Sequence, residues 1–143
     1  MAKKRISVSA AKAKGRNLQN EICQRVAKVT GIPWGKDKDI EGRPMGQSGV
    51  DVCLRGRAKE LFNFSCECKY QESWSLPAWI KQAKANLLEG ENWLLFFRRN
   101  HTPTFVAMEA DTFFSLFNEL LILRGQKEKS KLKIRPTKKN LDK

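Results

Sequence analysis

Trp93-Leu94-Leu95-Phe96-Phe97 is an unbroken apolar run. It is too short to span a membrane and too continuous for a strand with one wet face. It predicts a central strand buried on both sides, and such a strand needs a helical layer on each face of its sheet. The rest of the chain offers those layers. Leu18, Ile22, Val26 and Val29 recur at helical spacing and predict a first helix from about Ala13 to Val29, stopped by Gly31 and Pro33. Ser75 and Pro77 open a second helix running to Leu88, with Ile80, Ala83, Leu87 and Leu88 inward. Asp111 or Thr112 opens a third through Leu123, with Phe113, Leu116, Phe117, Leu120 and Leu121 inward. Further strands are predicted over residues 50–54, 61–70 and 104–108, with a short one around 39–44. The expected fold is α/β, three-layered, with a central mixed β-sheet flanked by helices.

Charge divides the chain into a body and two ends. Net charge is +13. Residues 1–16 hold six Lys/Arg and no acid, residues 124–143 hold nine Lys/Arg and two acids, and residues 17–123 hold thirteen of each sign. The expected organisation is a flexible basic arm over residues 1–12, a folded domain over 13–124 and a disordered basic tail over 125–143. Basic ends on a neutral body suit a polyanionic partner; solubilising tails are the alternative. Neither end offers an apolar helical face for a membrane. With no long apolar run and no signal-peptide core at the N-terminus, a soluble cytoplasmic protein is expected. The cysteines, Cys23, Cys53, Cys66 and Cys68, form no C-x-x-C pair, and His101 is the lone histidine. Reduced, mostly buried thiols are expected rather than a zinc site.

The chemistry concentrates in residues 48–70. Val50, Val52 and Leu54 alternate with Asp51 and Cys53. Arg55-Gly56-Arg57-Ala58-Lys59-Glu60 reads as a hairpin connection to the next strand. There Phe62, Phe64, Cys66 and Cys68 face one way, and Asn63, Ser65, Glu67 and Lys69 the other. Asp51, Glu67 and Lys69 can then converge at one end of the hairpin. Paired carboxylates suit a hard cation, Mg²⁺ or Mn²⁺, and an adjacent ammonium can orient water or stabilise phosphate charge. The same spacing also describes a surface Glu–Lys pair of small energetic weight.

Taken in order, these pieces resemble the PD-(D/E)XK nuclease superfamily. The Asp is Asp51, in Gly49-Val50-Asp51, and the (D/E)-x-K triplet is Glu67-Cys68-Lys69. Within it the chain resembles the archaeal- and phage-type Holliday junction resolvases. Lys14-Gly15-Arg16, Glu21 on the first helix and Arg43 ahead of Val50-Asp51 carry that likeness over residues 14–70. The resemblance implies a restriction-endonuclease-like form of the layered fold and a Mg²⁺- or Mn²⁺-dependent endonuclease acting on branched double-stranded DNA as a homodimer. It implies Asp51, Glu67 and the Cys68 backbone carbonyl as metal ligands, with Glu21 reaching the metal through water. Lys69 would assist the water, and Lys14, Arg16, Arg43 and Ser48 would contact DNA. Gln82 and the Asp37, Asp39, Glu41 group are secondary candidates. Trp74 and Trp79 are read as packing residues rather than base-stacking ones. The alternatives are a repair or restriction-type nuclease on other DNA, and a non-catalytic basic DNA-binding module.

Deleting residues 126–143 removes eight Lys/Arg and two acids. Each phosphate contact contributes roughly −0.9 to the slope of log affinity against log salt on duplex DNA. The deletion is expected to weaken binding to every DNA shape and to flatten that slope, measured by salt titration of four-way and linear DNA. An unchanged slope would reduce the tail to a solubilising extension.

Overall fold

The structure, a computed structural model, describes residues 5–44 and 46–126. The flexible tail expected over 125–143 therefore lies mostly outside the described residues. Helix α1 (Val8–Thr30) begins earlier than the sequence pattern suggests. Ser7 supplies the reason: its Oγ accepts from the Ala10 N–H at 3.1 Å. The alanine-rich turn that follows propagates the helix despite its positive charge. Gly31, at φ 76°, closes it in the left-handed region that favours glycine.

Two sheets follow. Strands β1 (Ile40–Gly42) and β2 (Val52–Leu54) form an antiparallel pair, with Glu41 opposite Cys53. Strands β3 (Phe64–Tyr70), β4 (Asn92–Arg98) and β5 (Phe105–Ala107) form a mixed sheet in that order. The β3–β4 ladder is parallel, with Glu67 opposite Leu95, and β4–β5 is antiparallel. Helix α3 (Leu76–Ala85) makes the crossover that a parallel pair requires.

The expected hairpin over residues 50–70 is not what forms. Residues 56–61 are a helix, α2 (Gly56–Leu61), which buries Ala58 completely. Ala58-Lys59-Glu60-Leu61 are all good helix formers, and the dense charge disguised them as a turn. Consequently β2 and β3 are not partners in a ladder. They meet at one backbone bond, from the Asp51 N–H to the Cys66 carbonyl at 2.9 Å.

The core has two layers, one on each face of the mixed sheet. On one side Leu18, Ile22, Cys23 and Val26 of α1 pack with Ile40, Val52, Ala58, Cys66 and Cys68. On the other, Trp79 and Ala83 of α3 and Leu87 pack with Trp93, Leu95 and Phe97. Strand β4 is central and covered on both sides, as its apolar run requires. Trp79 is core, whereas Trp74 lies at the edge of Phe97 and Phe105 with Arg99 over its ring at 5.0 Å. Leu88, expected inside, is 42% exposed because α3 ends before it. Helix α4 (Ala110–Leu123) departs furthest from expectation: of its residues only Thr112 is buried.

Leu95 is fully buried in the layer that α3 covers, and Leu88 is not. Leu95→Ala is expected to cost about 3 kcal/mol in urea unfolding, and Leu88→Ala well under half of that. Equal losses would mean that β4 is not the centre of the core.

Candidate active site

Asp51 sits just ahead of β2, where the two sheets touch. Its backbone works in both directions: the N–H reaches Cys66 of β3, and the carbonyl accepts from the Arg43 N–H at 2.9 Å. Gly49, at φ 115°, lets the chain turn into this position, and its carbonyl accepts from Arg43 Nη1 at 2.8 Å. The Asp51 side chain is buried and fully engaged. Oδ2 accepts from the Cys68 N–H at 2.7 Å. Oδ1 faces Arg43 Nη2 at 2.9 Å and accepts from Gln19 Nε2 at 3.2 Å. A carboxylate in such surroundings is held in one orientation.

Glu67 is equally buried, on the opposite face of β3 from Cys66 and Cys68. Its Oε2 accepts from Asn86 Nδ2 at 3.3 Å, and Lys69 Nζ lies 3.7 Å from Oε1. Burial foremost, and the Asp51 carboxylate next, push the Glu67 carboxyl up from 4.5 to about 7, against the pull of Asn86 and Lys69. Asp51, Glu67 and Lys69 therefore do come together, by β3 docking against the start of β2 and not by a hairpin.

Glu21 does not join them. Gln19 and Glu21 are roughly 200° apart around a helix. With Gln19 turned to Asp51, Glu21 projects from the other flank of α1. There it meets Arg25 at 3.3 Å, Arg98 at 3.4 Å and Thr104 Oγ1 at 3.0 Å. The helix residue at the acidic pair is Gln19, whose amide carries no chemical signature in a sequence. Its place on the flank of the buried stripe was the available signal. Similarly Gln82 is exposed, and the amide that reaches Glu67 is Asn86, one turn further on.

The expected DNA contacts fall in two places. Arg16 and Arg43 line an open cleft of about 970 Å³ beside Asp51, together with Lys12, Gln19, Lys36 and Arg55. Lys14 lies elsewhere, bonded to Asn100 at 2.9 Å and 5.3 Å from the centre of the Tyr70 ring. Ser48 is exposed on the loop before Gly49. The Asp37, Asp39, Glu41 group is occupied with its own loop: Glu41 holds Arg55 at 2.9 Å and accepts from the Asp37 N–H at 2.8 Å. All four cysteines are free, and burial pushes the Cys23 thiol up to about 12 and raises Cys66 and Cys68 as well.

A scan against protein-family models matches residues 10–141 to the family described as "Phage putative PDDEXK endonuclease". The chain belongs to this family. Searches of curated proteins and of solved structures returned no match. The family's layered α/β fold agrees with the mixed sheet between α1 and α3. No helix among the described residues is long and apolar enough to cross a membrane.

The acidic pair suits a divalent cation, since burial and mutual repulsion make a second negative charge there costly. Among the described residues no cluster of three or more His, Cys, Asp or Glu is formed. The donors on offer are thus the Asp51 and Glu67 carboxylates and a backbone carbonyl. Because the Cys68 N–H points to Asp51, its carbonyl lies along the same edge of β3. Mg²⁺, which keeps several waters, needs no more protein ligands than these.

Without a metal, folding favours the protonated Glu67. Its raised value means that the folded state binds the extra proton between 4.5 and about 7. The stability of the metal-free protein from this group is expected to fall as pH rises through that window. Glu67→Gln should remove this part of the fall, read as the difference between the two proteins' urea-unfolding curves against pH. Parallel curves would show that Glu67 is not held as described.

Proposed function

We propose that this chain is a divalent-metal-dependent, structure-selective DNA endonuclease that acts inside the cell and resolves four-way junctions by paired phosphodiester hydrolysis. One observation carries the reading: two buried carboxylates, Asp51 just ahead of β2 and Glu67 in β3, meet beside a lysine, with the Glu67 carboxyl pushed up. Asp51, Glu67 and the Cys68 carbonyl would hold Mg²⁺ or Mn²⁺. When bound, the ion would neutralise the scissile phosphate and lower the pKa of an attacking water.

The protein's own part is positional. The Cys68 N–H, Gln19 and Arg43 fix the Asp51 carboxylate, so that it needs no reorganisation during the reaction. Asn86 and Lys69 do the same for Glu67. Lys69 is placed to donate to the attacking water or to the phosphate as charge builds. Arg16 and Arg43, with Lys12 and Lys36, would track the DNA backbone along the cleft. Glu21 has no metal role in this reading. It anchors α1 to the ends of β4 and β5 through Arg98 and Thr104. A symmetric junction requires two cuts, which a homodimer with two sites provides.

Cleavage of four-way, flap and linear duplex DNA, with Mg²⁺, with Mn²⁺ and with chelator, tests the proposal. Metal-dependent cutting of the four-way substrate ahead of the others is expected. Asp51→Asn and Glu67→Gln should each lower it by roughly two orders of magnitude or more, while junction binding holds. Even cutting of all three substrates would favour a repair or restriction-type activity. Binding without cutting would leave a basic DNA-binding module.

A further inference from the structure

The tryptophans differ in what occupies their rings. Trp79 and Trp93 are buried in the core. Trp74 sits against Phe97 and Phe105, with Arg99 over its ring. Trp34 is another case: it packs against the core on the α1 side, is only partly buried, and lines the open cleft beside Asp51. Among the described residues its indole has no ring partner and no cation over it, and its N–H has no acceptor. A tryptophan inside a protein usually finds a partner for that donor. Here the donor and the uncovered part of the ring are left to whatever enters the cleft. The residue is nonetheless held in place, because it bridges to the fully buried Ile40 and the Gly35 N–H next to it donates to the Ile40 carbonyl at 2.9 Å.

The surroundings decide what enters. Lys12 and Arg16 lie one turn apart on α1, and Lys36 lies two residues beyond Trp34. All three line the cleft, are exposed, and make no ion pair among the described residues. The acids on its walls are Asp37 and Glu41, and Glu41 is answered by Arg55 at 2.9 Å. Positive charge is therefore in excess. Gly15, Gly35, Gly42 and Gly46 also line the cleft, and where a wall has no side chain a flat ring can come close to the backbone.

An aromatic ring among uncommitted cations is the arrangement that holds a nucleotide of a single strand: the base stacks and the cations take the phosphates. A fully paired duplex keeps its bases inside and offers Trp34 only backbone. We propose that Trp34 is a stacking platform for one unpaired nucleobase of the DNA strand in the cleft, with Lys12, Arg16 and Lys36 on the flanking phosphates. The site rests on the proposed DNA-cutting reading and adds the feature that the cleft selects. That feature is a base out of its helix, close to Asp51, whose Oδ1 is held by Gln19 and Arg43 of the same cleft.

Binding of the full chain to three DNAs, without divalent metal, tests this. One is a fully paired duplex, one carries a single unpaired adenosine, and one carries an abasic tetrahydrofuran residue in its place. The wild-type chain is expected to bind the adenine bulge roughly tenfold more tightly than the abasic one. Trp34→Leu, which keeps an apolar side chain against the core, should bring the two to within about twofold of each other, and Trp34→Phe should keep most of the preference. Lys36→Ala should weaken all three alike. Circular dichroism and thermal unfolding check that the variants fold. Equal wild-type affinity for the adenine and abasic bulges overturns the proposal whether or not any variant folds. A preference that survives Trp34→Leu overturns it too, as does a lack of binding to all three DNAs. Cleavage of four-way DNA is scored separately. A chain that cuts but ignores the base refutes the platform and not the activity, and one that prefers the base but cuts nothing keeps the platform and loses the activity.

Discussion

Every part of this fold that bears on chemistry passes through Asp51. Its N–H, carbonyl and two carboxylate oxygens tie together the first helix, the β1–β2 pair and the edge of β3. A buried carboxylate is costly unless it is paired and hydrogen-bonded. Here three donors from three segments meet that requirement: Gln19 of α1, Arg43 just after β1, and the Cys68 N–H of β3. The same bonds that make the charge tolerable set its position relative to Glu67. Stability of the join and geometry of the site are therefore one constraint. A change at Arg43 or Gln19 disturbs both.

Much of this was legible in the sequence, and the failures share a physical cause. The run Trp93–Phe97 demanded cover on both sides and received it. The alternation in residues 62–69 correctly sorted Cys66 and Cys68 from Glu67 and Lys69, because side-chain direction in a strand is a local property. Strand partners are not local. Residues 50–54 and 61–70 read as neighbours through a turn, yet one pairs with β1 and the other with β4. Period alone cannot name a partner. The helix over residues 56–61 was masked by its charge, though Ala58 at its centre is what the core needed.

The candidate site divides in the same way. Asp51 and Glu67 announce themselves because carboxylates within strand-like apolar runs of sequence are unusual. Gln19 and Asn86, which hold them, are ordinary amides in helical contexts, and only three-dimensional placement separates them from Gln82 and many other polar residues. Glu21 shows the converse. It is an acid at a plausible position whose helix turns it to Arg98 and Thr104 instead. Helix α4 fails for a further reason: a stripe of Phe and Leu records an apolar face, and not what lies against it.

The parallel ladder between β3 and β4 also sets an order of events. Phe64 pairs with Asn92 and Tyr70 with Arg98, and all of α3 lies between the two strands. Pairings so distant in sequence wait on closure of a long loop. During synthesis the N-terminal part, α1 through β3, is complete well before β4 has been made. In that interval β3 lacks its partner strand. The residues at the centre of the candidate site are all present by Asn86, yet they cannot be brought into register until Arg98 has emerged. A chain that ends short of Asn92 lacks the only strand that β3 pairs with among the described residues, and so lacks the sheet that carries Glu67.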